Sequence, residues 1–193
     1  MAARKNNGAK ITGFNHVVLV TSDMDKTVRF YCDLLGLMVK ATVGAARRPS
    51  GLIGKRADDA WKRLYFFELP NGDTLAFVEF PKMDTGAEAS YFSGVWPGKG
   101  RSVTRPQKMD HIALNVDNRE SLVGVQRKLR DAGYTVSDVQ DLGGSPFVKS
   151  IYVYDPNGIP LEIASWDVNG PESAKRLPGD WFADPDPVPA LRD

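Results

Sequence analysis

The chain contains two histidines, His16 and His111, and each is the third residue of a short apolar run: Phe14-Asn15-His16-Val17-Val18-Leu19-Val20 and Met109-Asp110-His111-Ile112-Ala113-Leu114-Asn115. A single histidine on a strand is usually a satisfied structural residue, but two at equivalent places of an internal repeat form a pair. Period-two alternation turns Phe14, His16 and Val18 to one face of the first run, and Met109, His111 and Ala113 to one face of the second. A pseudo-two-fold pairing of the repeats brings these first strands together and aims both imidazoles into one cavity. Two imidazoles call for an oxygen ligand, because two histidines and one carboxylate form the facial set of non-haem Fe(II), which also accepts Mn, Zn or Ni. Glu162, in Gly158-Ile159-Pro160-Leu161-Glu162-Ile163-Ala164, is a charge inside an otherwise apolar strand. Buried without a partner it would cost several kcal/mol, so a cation is the natural explanation, against the plainer reading that it faces solvent. Aligning the two Pro-Asn-Gly turns sets Ala76 opposite Glu162, which leaves the fourth corner without a protein ligand. Glu79, three residues beyond Ala76, reaches that corner only through a bulge.

Each repeat reads β-α-β-β-β. Helical patterns run from about Met24 to Leu35 and from Glu120 to Ala132, with one apolar stripe each: Val28, Tyr31, Cys32 and Leu35, then Leu122, Val125, Leu129 and Ala132. Polar residues precede both helices (Thr21-Ser22-Asp23 and Asp117-Asn118) as N-caps, and Gly36 and Gly133 follow them as C-caps. A strand comes next in each half, Leu37 to Val43 and Tyr134 to Val139. Then comes a hairpin, Leu64–Leu69 to Asp73–Phe80 and Ile151–Asp155 to Ile159–Ser165, turning in both cases on Pro-Asn-Gly. The organisation is a tail (1–12), a first module (13–80), a linker (81–108), a second module (109–165) and a proline-rich arm (166–193). Neither module buries a helix and a sheet well alone, so they pair within the chain or across a homodimer. The fold class is α+β. The basic stretch Gly44 to Lys62 is either a lid over an anionic substrate or a solvated loop; Tyr91, Phe92 and Trp96 suggest that the linker packs onto the body, and Trp181 and Phe182 that they pin the arm.

With 193 residues, 25 Lys+Arg against 24 Asp+Glu, and 42% apolar residues, the chain has material for a core but no basic footprint for nucleic acid or anionic membrane. The lone Cys32 closes no intrachain disulfide and suits a helix core position, which fits a reducing compartment. No apolar run approaches the roughly 20 residues of a membrane span, so the expectation is a cytoplasmic protein acting on a small molecule.

The segments Asn15-His16-Val17-Val18-Leu19, Phe30-Tyr31-Cys32-Asp33-Leu34-Leu35-Gly36-Leu37, Asp110-His111-Ile112-Ala113 and Asp155-Pro156-Asn157-Gly158-Ile159-Pro160-Leu161-Glu162 together resemble the vicinal oxygen chelate superfamily. That superfamily includes glyoxalase I, fosfomycin-resistance proteins, bleomycin-binding proteins and extradiol dioxygenases. The resemblance covers about 150 of the 193 residues. It implies two paired βαβββ modules in an open barrel around one divalent ion, held by His16, His111 and Glu162. Ile151-Tyr152-x-x-Asp155-Pro156-x-Gly158-x-x-x-Glu162 looks like the type I extradiol signature, in which Tyr152 would hydrogen-bond a substrate hydroxyl. The implied activity is Fe(II)-dependent ring cleavage of a catechol, with Mn(II) or Zn(II) as other occupants. The signature departs in one place: the histidine expected shortly before the tyrosine is missing from Asp141-Leu142-Gly143-Gly144-Ser145-Pro146-Phe147. Two other branches remain open, a lyase or isomerase using Zn, Ni, Co or Mn, which asks more of Glu79, and a metal-free bleomycin-resistance-type binding protein, which has no need of the three ligands.

Overall fold

The structure is a computed structural model that describes residues 13–44, 62–102, 108–141, 148–166 and 188. Most of the basic stretch, the N-terminal tail and nearly all of the C-terminal arm, with Trp181 and Phe182, lie outside the described residues. In the first module β1 (Val17–Thr21) leads to α1 (Met24–Val28), a π-helical continuation (Arg29–Leu34), β2 (Met38–Gly44), β3 (Arg63–Glu68) and β4 (Thr74–Glu79). After two short linker strands, β5 (Ala89–Ser90) and β6 (Arg101–Ser102), the second module repeats the order: β7 (Ile112–Asn115), α2 (Arg119–Asp131), β8 (Gln140–Asp141), β9 (Val148–Tyr154) and β10 (Pro160–Trp166).

Each module forms a four-stranded mixed sheet, ordered β1-β4-β3-β2 and β7-β10-β9-β8. The parallel pairs set Val18 beside Ala76 in the first sheet and Ala113 beside Glu162 in the second, so Ala76 and Glu162 hold equivalent places. The caps form as the sequence reading has them: the Asp23 carboxylate accepts from Lys26 N–H and the Asn118 carbonyl from Ser121 N–H, while Gly36 and Gly133 take positive φ.

Two elements differ from the periodicity. The first helix widens to a π-helix at Arg29, and both Phe30 and Tyr31 are buried in it, Phe30 facing Tyr134 of the second module and Tyr31 facing Phe67 and Phe77 of its own sheet. The second module's second strand shrinks to β8 and an isolated bridge between Val136 and Val153. The cause is local: the Ser137 hydroxyl accepts the Tyr152 N–H, and the Arg130 guanidinium and the Gln126 amide both donate to the Ser137 carbonyl. Side chains thus take bonds that a longer ladder would use.

One apolar cluster joins the modules. Leu19, Phe30, Tyr31, Phe67 and Phe77 from the first pack in the same core as Leu122, Leu129, Ile151, Leu161 and Ile163 from the second, with Phe30 and Tyr134 meeting edge to face at 4.9 Å. A buried polar clamp sits beside it. Tyr31 donates to Asp155 at 3.1 Å, and Thr21 donates to Asn157 at 2.7 Å, so the second module's turn is locked onto the end of β1 and the π-helical part of the first helix. Because both sheets give their inner faces to this shared core, their opposite faces are turned outward. Among the described residues the sheets do not join into one closed barrel, and β1 and β7 remain edge strands.

Candidate functional site

Glu162 alternates along β10 with the core residues Leu161 and Ile163 and so stands on the outward face of the second sheet, although it is itself buried. His111, just before β7, reaches it across the parallel pair: Nε2 lies 3.0 Å from Oε2 of Glu162. Ser150 on β9 donates to the other carboxylate oxygen, and Tyr152 lies directly across the antiparallel ladder from Glu162. The ten-residue spacing of Tyr152 and Glu162 is therefore the length of a hairpin that returns one to the side of the other. Behind His111, Nδ1 contacts Asp110 at 2.8 Å, and Asp110 accepts in addition from the Ser90 hydroxyl and the Tyr91 N–H of the linker.

The linker crosses this face as a strap. Its Glu88 N–H donates to the Gly158 carbonyl at 2.8 Å, and a Cβ on Gly158 would stand 2.3 Å from the Gly86 carbonyl oxygen, so only glycine admits the crossing. Further along, Trp96 is 3% exposed and sits over the site, its ring centroid 5.7 Å from His111, 5.1 Å from Tyr152 and 5.4 Å from Tyr154. Tyr91 and Phe92, expected to pack down with it, are exposed instead.

The electrostatics follow from the contacts. The hydrogen bond to Glu162 lifts the His111 imidazole above its usual value, against the opposing effect of burial. Burial alone would raise Glu162, but hydrogen bonds from His111 and Ser150 outweigh it and hold the carboxyl below its usual range. Asp110 is lowered in the same way, burial being overcome by His111, the Tyr91 N–H and Ser90. Burial, with the Glu162 charge second, pushes the Tyr152 phenol up, so it is a hydrogen-bond donor at neutral pH. A histidine oriented at Nδ1 by a carboxylate, with Nε2 aimed at a second carboxylate, is a donor set that suits a divalent cation.

The remaining sequence candidates lie elsewhere. His16 is exposed at the start of the first sheet, its Nδ1 2.6 Å from the Asn15 side-chain oxygen and its ring 5.8 Å from Phe66. A groove of about 750 Å³ opens near it, lined by Phe14, Asn15, Lys40, Ala41, Phe66 and Thr74, while the His111–Glu162 pair lies under Trp96 and outside that groove. No group of three His, Cys, Asp or Glu side chains suited to a metal converges among the described residues. Glu79 shares the helix-facing side of β4 with Leu75 and Phe77 and is fully engaged, accepting from the Met24 N–H at 2.9 Å and from Arg63. It stabilises the start of α1, and no bulge turns it towards the outward face. Burial and the Asp33 charge raise the Cys32 thiol, which suits a packing residue. Residues 142–147, where the extradiol pattern has a histidine, lie outside the described residues.

The fold and this pair define a class. The chain belongs to the Glyoxalase/Bleomycin resistance protein/Dioxygenase superfamily, which residues 13–163 match. Members of this superfamily typically bind a divalent metal and act on or hold small molecules. The chain is 26% identical over 158 residues to an iron-dependent extradiol dioxygenase of Rhodococcus jostii (strain RHA1); the match covers 78% of this chain and 42% of that protein, so the chain spans less than half of its relative's length. Among solved structures it is similar to a glyoxylase/bleomycin resistance protein/dioxygenase domain from Frankia sp. EAN1pec, with TM-score 0.57 and 22% identity over 81% of this chain and 99% of that one. A glyoxalase family protein from Enterococcus faecalis matches with TM-score 0.53 and 19% identity, over 79% and 97%. These two likenesses concern the fold. No helix among the described residues is long and apolar enough to cross a membrane.

Proposed function

We propose that the chain is a divalent-metal-dependent enzyme acting on vicinal oxygens, an Fe(II) extradiol dioxygenase that cleaves a catechol ring, with His16, His111 and Glu162 as metal ligands and Tyr152 as donor to a substrate hydroxyl. The observation that carries the reading is the 3.0 Å approach of His111 Nε2 to the buried Glu162, with Asp110 behind the imidazole. The iron-dependent relative supports the choice of metal. When bound, the ion supplies a Lewis acid that lowers the pKa of a vicinal diol and stabilises the resulting oxyanion. The protein's own part is to exclude water with Trp96, hold the imidazole through Asp110, and present the protonated phenol of Tyr152.

His16 cannot meet the pair inside one chain arranged as described, since both outward faces turn away from a common core. A homodimer resolves this: the first sheet of one subunit lies over the second sheet of its partner, and each centre draws His16 from one chain and His111 and Glu162 from the other. In support, Phe14 and Val18, on the same strand face as His16, are 68% and 54% exposed, an apolar strip of the kind that protein contacts cover.

The test is elemental analysis of protein purified without oxygen, beside His111→Ala, followed by oxygen uptake with a panel of catechols. Near-stoichiometric iron that is lost in the variant, with oxygen consumed by the wild type, is the expected result. Zinc, nickel or manganese without oxygen uptake would move the protein to the lyase or isomerase branch, and no metal in either protein would leave a binding protein.

A further inference from the structure

The two modules differ in what lies on their outward faces. On the second, the strap passes Gly158 and sets Trp96 against His111, Tyr152 and Tyr154. On the first, the matching ground is the groove of about 750 Å³, with Phe66 in the place of Tyr152 and Gly72 in the place of Gly158. Gly72 also takes positive φ, +90°, but among the described residues nothing stands within 4 Å of where its Cβ would be, whereas a Cβ on Gly158 meets the strap. Two aromatic rings, Phe14 and Phe66, wall the groove, and the carboxylate there, Asp73, is already taken up by the Phe14 N–H and the Asn71 amide.

The repeat names a segment of the chain for this groove. Through their hairpins the modules run at a constant offset of 86 residues, that of Gly72 to Gly158 and of Ala76 to Glu162. The same offset carries Phe80, which follows β4, to Trp166, which ends β10, and it carries Trp96 to Phe182, next to Trp181. The starting points match as well. The strap sets out beside the turn that it crosses, because the Phe80 N–H donates to the Thr21 carbonyl and the Thr21 hydroxyl donates to Asn157. The arm sets out beside the other turn: the Val116 N–H donates to the Ala164 carbonyl, and Asn115, Val116 and Asp117 share the wall of a cavity of about 290 Å³ with Leu69 and Pro70. Charge agrees with this route, since Asp180 and Asp184 flank the aromatic pair and Lys40, beside its partner Glu68, lines the groove.

We propose that the groove of the first module is the docking site of the chain's own C-terminal arm, which passes Gly72 and seats Trp181 and Phe182 against Phe14 and Phe66, as the linker seats Trp96 on the second module. Met109, the counterpart of Phe14, stays 58% exposed beside the strap, so an arm in the groove leaves Phe14 available to a partner subunit. The docking needs neither the metal nor the dimer.

Disulfide trapping in the full-length chain tests it. In a Cys32→Ala background, Ala183→Cys is combined with Ala41→Cys, which lines the groove opposite Phe66, or with Arg127→Cys on the exposed side of α2 as a control for random encounter. A docked arm holds its thiol at high effective concentration, so glutathione disulfide should close the first pair within one chain about tenfold faster than the control, and adding Trp181→Ala and Phe182→Ala should remove the difference. Equal rates for the two pairs overturn the proposal. A faster disulfide between two chains also overturns it, by assigning the arm to the partner's groove. Hydrogen exchange covers a trapping variant that fails to fold: with Trp181→Ala and Phe182→Ala alone, the amides of residues 13–15 and 71–73 should exchange about tenfold faster than in the wild type, and those of residues 157–159 at the same rate. Unchanged exchange at residues 71–73 overturns the proposal.

Discussion

Subunit mixing tests the shared centre most directly. His16→Ala removes a ligand from the first sheet, and Glu162→Gln removes one from the second while keeping the side chain's shape. The His16 side chain is exposed, and the amide of the second variant keeps a carbonyl oxygen for one of the two partners of Glu162 while its NH2 donates to the other, the Ser150 hydroxyl or the unprotonated His111 Nε2, so both variants should fold. Each alone is expected to be free of metal and inactive. In a homodimer with exchanged ligands, a mixed pair has one centre with both lesions and one centre with none. Random reassociation of equal amounts makes half of the dimers mixed, so the sample regains about a quarter of wild-type iron and turnover. The chains are dissociated in mild denaturant, mixed, refolded and loaded with Fe(II), then assayed by elemental analysis and oxygen uptake. A mixture as inactive as its components, in which differently tagged chains are nevertheless recovered together, would refute the exchanged arrangement. Iron retained by His16→Ala alone would remove His16 from the ligand set.

Further outcomes follow from named contacts. Asp110→Asn weakens the hold on His111 Nδ1 and should lower metal affinity by about 10- to 100-fold, measured by chelator competition, with little change in melting temperature. Tyr31→Phe deletes the hydroxyl that joins the first helix to Asp155, while Asp155 keeps the N–H groups of Asn157 and Ile159; a loss of about 1–2 kcal/mol should appear in urea unfolding, and an unchanged midpoint would deny the clamp a share in stability. Burial raises the Asp155 carboxyl above its ordinary 3.8, against its hydrogen bonds, so the folded state binds this proton more tightly than the unfolded state. Its contribution is fully present below about pH 3.8 and is lost as the pH rises through the elevated folded value. The melting temperature of the wild type relative to Asp155→Asn should therefore fall as the pH rises from about 3.8, and a difference that grows with pH would reverse the assignment.

Much of the architecture was legible because it is local and repeated. The paired His16 and His111 motifs, the capping residues and the two Pro-Asn-Gly turns mark both modules, and the spacing of Tyr152 and Glu162 straddles one such turn. What was hidden depends on contacts between distant segments. Nothing in the run around Phe30 and Tyr31 announces a π-helix or that the two rings pack against different modules. Trp96 stands in a glycine-rich linker without periodicity, and its place over the site comes from anchors at Asp110 and Gly158, far off along the chain. The position of His16 was hidden for the same reason, since the repeat reveals that two modules exist and leaves open which faces they share.

The registers show where the two copies differ. Val18 pairs with Ala76 where Ala113 pairs with Glu162, so at this place the carboxylate stands in one module alone. The second module has the buried charge, and it is also the one that has Ser150, Asp110 and the Trp96 strap to satisfy and shield that charge. The first module, with alanine at the matching place, keeps an exposed imidazole among apolar neighbours. In the exchanged dimer proposed above, one face of each kind places a single carboxylate between two histidines, and without a metal a second buried carboxylate there would repel the first. A symmetric duplicate with glutamate in both modules would present that repulsion. Ala76→Glu is therefore expected to lower the melting temperature of the metal-free protein, read by calorimetry, since Ala76 is 0% exposed and the new carboxylate has no partner there among the described residues; an unchanged value would show that this face accepts a second charge.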